Sequence, residues 1–138
     1  MPVQFEIGPR QLPLELTYEV LGPVEPRQYH AWMSGWLVWN EPAEGGSVRH
    51  MTTLKLVAFD SNGEVARWKE GPKLKLQEEY IACPNPEGHQ GVRSLPFEAH
   101  ALIDLPSEFP TVGVLMADQE DQSTRVALKF MRIVLVEA

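Results

Sequence analysis

Hydrophobic and polar residues alternate with a period of two along most of this chain. Val3, Phe5 and Ile7 alternate with Gln4 and Glu6, and Gly8-Pro9 stops the run. Leu12, Leu14, Leu16, Tyr18 and Val20 then share one face, with Pro13, Glu15, Thr17 and Glu19 on the other. Proline has no N–H to give a ladder, so Pro13 suits a strand start or a sheet edge. Gly22-Pro23 and Pro26 are expected to break this strand. Met51 to Phe59 sets Leu54, Leu56 and Ala58 against Thr53, Lys55 and Val57. Asn62-Gly63 tolerates the positive φ of a tight hairpin, which predicts Glu64–Lys69 as the returning arm. Leu74, Leu76 and Tyr80 mark another short strand. Ala82 to Pro96 holds Cys-Pro-Asn-Pro-Glu-Gly-His-Gln-Gly and is predicted as a long loop. Loops of that length are uncommon unless functional or mobile.

The C-terminal part carries the strongest pattern. Phe97, Ala99, Ala101, Ile103 and Leu105 fall on one face of a strand. Thr111–Ala117 and Arg125–Glu137 follow as two more. Beyond Phe130 the last one is apolar on both sides, with Met131, Ile133 and Leu135 against Val134 and Val136. One core cannot take both sides of a straight strand. A bulge near Phe130–Arg132, or a contact with another subunit, is therefore expected.

Gln28 to Asn40 has two periods. Trp32, Trp36 and Trp39 fall at i, i+4 and i+7, as on a helix. Read as a strand, Trp32, Ser34, Trp36 and Val38 oppose Met33, Gly35, Leu37 and Trp39. The aromatic content and the mid-segment Gly35, which costs a helix about 1 kcal/mol, favour the strand. The whole pattern predicts an all-β fold: a two-sheet antiparallel β-sandwich, immunoglobulin-like or jelly-roll, with about eight or nine strands and no helix.

Composition narrows the picture. At 138 residues, 43% apolar and 22% charged, the chain reads as one soluble globular domain over residues 1–138. That length buries enough surface to need no staple. A net charge of −7 with scattered lysines and arginines argues against nucleic acid and anionic membranes as partners. Cys83 is the single cysteine, so no intrachain disulfide can form. With no leader-like N-terminus, a cytoplasmic location is the expectation.

Candidate chemistry is sparse. Pro86-Glu-Gly-His89 resembles the second motif of cupin-type metal enzymes. The first, a His-x-His followed by a glutamate, is absent, so no metal and no cofactor are expected. Asp118, Glu120, Asp121 and Asp60 could supply calcium oxygens, but a solvated hairpin tip is the commoner use of such residues. Nothing around Cys83 and His89 activates a thiol, and Glu98 and Asp104 sit about 20 Å apart at ~3.3 Å per residue, too far for a glycosidase pair. No catalytic residue is predicted. The candidate ligand-binding residues are Trp32, Trp36 and Trp39, which could stack on sugar rings. Burial is the commoner fate of an indole and is the expectation here; if any tryptophan reaches solvent, Trp39 and Trp68 are the ones expected to. The expected function is a non-catalytic binding or scaffolding module, homo-oligomeric through protein–protein contacts of the last strand and the Ala82–Pro96 loop. A carbohydrate or small-ligand binder using the tryptophans is the alternative. A jelly-roll metal enzyme using His89 with His50 or His100 comes third.

Overall fold

The computed structural model describes residues 2–12, 18–41, 49–59, 73–84, 91–118 and 126–138. These form strands β1 (Val3–Ile7), β2 (Arg10–Gln11), β3 (Tyr18–Pro23), β4 (Gln28–Glu41), β5 (Arg49–Phe59), β6 (Lys73–Pro84), β7 (Gly91–Asp104), β8 (Thr111–Asp118) and β9 (Ala127–Glu137). No helix occurs among the described residues. Sheet A has the order β1-β9-β4-β7, with β2 continuing the β1 edge along β9, and sheet B the order β3-β8-β5-β6. Every ladder is antiparallel.

The pairing is nested. β1 and β2 pair with β9, β3 with β8, β4 with β7 and β5 with β6. The chain is thus one long antiparallel ribbon, closed into two sheets by the β4–β9 and β5–β8 ladders. With β1 and β2 counted as one interrupted strand, this is the jelly-roll order and not the immunoglobulin one. The sandwich expected from the alternation is present, and its topology resolves the two architectures the sequence left open.

The core lies between the sheets. β4 supplies Tyr29, Ala31, Met33, Leu37 and Trp39, β5 supplies Leu54, Leu56 and Ala58, and β8 supplies Val112, Val114 and Met116. β7 turns Phe97 and Ile103 inward, as its alternation predicts, and Leu105 just past its end joins them. β9 switches parity. Val126 and Leu128 face in before the switch, and Met131, Ile133 and Leu135 after it. Trp36 pairs with Phe130 and Leu37 with Leu128, so Lys129 is an extra residue, a bulge one position before the expected range. Gly35 lies opposite. A Cβ there would run into the Phe130 carbonyl oxygen and come 2.9 Å from the Phe97 ring, so the bulge demands glycine.

Several local expectations change. β3 does not stop at Gly22-Pro23. It runs through them with a bulge at Leu21, and Gly22 takes φ 155°. Val20, assigned to the buried side of its strand, is 43% exposed. Residues 13–17 of that segment lie outside the described residues. Of the predicted loop at Ala82–Pro96, Ala82–Pro84 continues β6 and Gly91–Pro96 opens β7; only 85–90 lie outside the described residues. The hairpin arm Glu64–Lys69 also lies outside them.

Candidate functional site

The outer face of sheet A is the site candidate. Residues that pair across antiparallel strands point to the same side, so the register lays out this face directly. Val136, His30 and Leu102 form one row; Gln4, Val134, Trp32 and His100 the next. Glu6, Arg132, Ser34 and Glu98 form the third, and Phe130, Trp36 and Pro96 the fourth. An apolar and aromatic strip therefore runs down the middle of the sheet, crossed by one charged row.

Much of that strip meets solvent. Trp36 is 47% exposed, Leu102 55% and Val136 38%, while Trp32, Phe130 and Val134 are half-buried. Ser34 is small, so it leaves a notch between the two indoles. A hollow of about 430 Å³ opens there, lined by Ser34, Gly35, Trp36, Pro96, Phe97, Glu98 and Phe130. Arg132 stands over the Phe130 ring, 5.4 Å from its centre, and reaches Glu6 at 3.3 Å. Such a cation–π contact is worth about 0.5–1 kcal/mol at an exposed position.

The three candidate tryptophans separate. Trp32 and Trp36 share the outer face. Trp39 points the other way and is 5% exposed, as the burial expectation has it, while Trp36 and not Trp39 is the one that reaches solvent. Its indole N–H has no hydrogen-bond partner among the described residues. The reason was legible: the inward side of β4 reads Tyr29-Ala31-Met33-Gly35-Leu37, while the outward side interposes His30 and Ser34. Trp68 lies outside the described residues, as do His89, Asp60, Glu120 and Asp121. His50, Cys83 and Asp118 fall on strands whose side chains are not described there. Glu98 and Asp104 are both exposed on β7.

Sequence reasoning missed the histidines. It named His100 beside His89 and did not connect it with His30. His30 Nδ1 lies 3.1 Å from His100 Nε2, and the His100 ring packs on Trp32 with centres 4.6 Å apart. Seventy residues separate the two in sequence, so only the β4–β7 ladder could reveal the pair.

The outer face of sheet B is built differently. Its rows are Leu115, Lys55 and Glu78, then Gly113, Val57 and Lys75. Val57, Phe59, Leu115 and Ala117 are all buried there. The Phe59 ring seats on Gly113, where a Cβ would collide with it and stand 2.8 Å from the Glu19 carbonyl oxygen. Across to the edge strand β6, Lys55 of β5 bonds Glu78 at 3.0 Å. That bond, helped by the Tyr80 hydroxyl, holds the Glu78 carboxyl below its ordinary range, and Glu78 in turn raises Tyr80.

No family model and no curated protein matches the sequence. Among solved structures, the chain is similar to one from infectious bursal disease virus, Gt strain, at 10% identity and a TM-score of 0.47. It covers 99% of this chain and 32% of that one. A chain from the Gx strain of the same virus gives 12% identity and a TM-score of 0.42, over 100% of this chain and 34% of that one. A Bacillus endospore appendage, from a family of disulfide-linked pili, gives 18% identity and a TM-score of 0.29, over 99% and 89%. The chain thus spans about a third of the length of the viral chains it resembles.

Proposed function

We propose that this protein is a non-catalytic contact module that pairs with a second copy of itself through the outer face of sheet A. One observation carries the reading: an exposed aromatic and aliphatic strip lies at the centre of a sheet, on β4 and β9, where a monomer gains nothing by showing it. The charged row selects the geometry. Arg132 and Glu98 flank Ser34 from opposite sides. A two-fold axis laid along β4 sets Arg132 of each copy against Glu98 of the other. An axis across the strands would set arginine against arginine. Only the first is self-complementary, as an isologous dimer requires. The strip from His30 to Trp36 covers roughly 20 Å by 15 Å at ~3.3 Å per residue and ~4.8 Å per strand, about 300 Å² per copy against about 800 Å² for a standard interface, so the dimer is weak and transient.

Sedimentation equilibrium tests this. A monomer–dimer equilibrium in the micromolar range is expected. Arg132→Glu should shift it to monomer, and Arg132→Glu with Glu98→Arg should restore it. A monomer at several hundred micromolar would end the proposal.

The hollow beside Trp36 supports a second reading, a small-ligand or carbohydrate binder. Its volume falls within the usual range for ligand sites. Trp36 and Phe130 offer ring faces and Glu98 an acceptor. A shift of tryptophan emission with an oligosaccharide, lost in Trp36→Ala, would favour it over self-association.

A further inference from the structure

His30 and His100 form a cluster that neither docking nor ring stacking requires. They sit on adjacent strands in diagonal positions: His30 opposite Leu102, His100 opposite Trp32. Their nearest nitrogens, Nδ1 of His30 and Nε2 of His100, are 3.1 Å apart. The ring centres are 5.3 Å apart and the planes tilt by 23°. Trp32 backs both rings, at 5.8 Å from His30 and 4.6 Å from His100.

Two neutral imidazoles so placed have two uses. One ring can donate its N–H to the other, or both can turn lone pairs to one cation. Two Zn–N bonds of ~2.0–2.1 Å at a tetrahedral angle hold their nitrogens roughly 3.3–3.4 Å apart. The observed spacing is a few tenths of an ångström short of that, and rotation of the rings about Cβ–Cγ supplies the difference with no change in the backbone. The ladder already fixes the two Cα atoms, so little chain entropy is lost on chelation.

We infer that His30 Nδ1 and His100 Nε2 form a two-imidazole site for a divalent transition metal ion of the zinc, nickel or copper class, the ions that neutral imidazole suits. Among the described residues no group of three or more His, Cys, Asp or Glu side chains could hold a metal. In the unpaired chain, with no third ligand among the described residues, solvent fills the remaining coordination positions. Both imidazoles come from one chain, so the ion is taken up by the monomer, and a second copy laid over the same face competes with it.

Zinc titration of tag-free protein in a non-coordinating buffer tests the assignment, by calorimetry and by thermal unfolding. One Zn²⁺ per chain is expected. At zinc about a hundredfold above its dissociation constant, linkage raises Tm by something on the order of 10 °C, reversed by EDTA. His30→Gln and His100→Gln should each abolish the calorimetric signal and the Tm shift, while their metal-free melting stays near that of the parent. His100 is exposed, so His100→Gln decides alone if the other variant fails to fold. No saturable zinc binding by the parent protein overturns the inference. So does binding retained in either folded variant.

Discussion

Phe59, Val57, Leu115 and Ala117 on the outside of sheet B are closed to solvent, whereas Trp36, Leu102 and Val136 on the outside of sheet A stand open. Both sheets have a core-facing side filled with aliphatic residues. The difference lies in what each outer side is made of. Sheet B carries aliphatic residues and two aromatic-on-glycine and lysine–glutamate pairings that fit a covered face. Sheet A carries large rings separated by Ser34 and a crossing row of charge. A covered face contributes to stability; an open one is available for recognition.

The largest expected test of that contrast is a pair of truncations. Phe59→Ala should cost about 3–5 kcal/mol, because it removes a buried ring and leaves a void over Gly113. Trp36→Ala should cost under about 1 kcal/mol despite removing a larger side chain, because the indole is half in water already. Urea unfolding of the two variants measures both. Equal losses would erase the distinction between the faces.

A second test sharpens the account of sheet A. Gly35→Ala forces a methyl group against the Phe130 carbonyl at the β9 bulge and should cost about 1–3 kcal/mol. Gly8→Ala, where a Cβ meets nothing within 4 Å, should stay within about 0.5 kcal/mol of the parent. The comparison reports whether the bulge is held by backbone contact, which is what places Phe130 beside Trp36.

The smallest effect belongs to sheet B. Lys55, then Tyr80, depress the Glu78 carboxyl in the folded state. A depressed carboxylate adds stability that is present above its unfolded pKa and lost as pH falls through the folded one. The Tm gap between the parent protein and Glu78→Gln should therefore be widest near neutrality and close in acid below the usual carboxylate range. A gap that grows on acidification would contradict the pairing.

The segment 28–40 shows how far the sequence carries. The strand, its two faces and their membership were legible from period two and from Gly35. Which face turns inward follows from the residues between the rings: His30 and Ser34 lie on the side of Trp32 and Trp36, while Trp39 shares its side with the buried Tyr29, Ala31, Met33 and Leu37. The bulge near Phe130 was legible too, since a double-sided apolar run cannot be satisfied by a straight strand. The segment 82–96 shows the limit: its prolines and glycines read as a long loop, yet Ala82–Pro84 continue β6 and Gly91–Pro96 open β7.

Period two along the chain determined the elements, the sandwich and most of the core, because a side chain's side of a strand depends only on its parity. The nested jelly-roll order, the burial of both sides of β8, the row of Arg132, Ser34 and Glu98, and the meeting of His30 with His100 belong to the tertiary structure alone. Each depends on which strands become neighbours. That choice is settled by the summed packing of all the strands at once, and no local stretch of sequence records it.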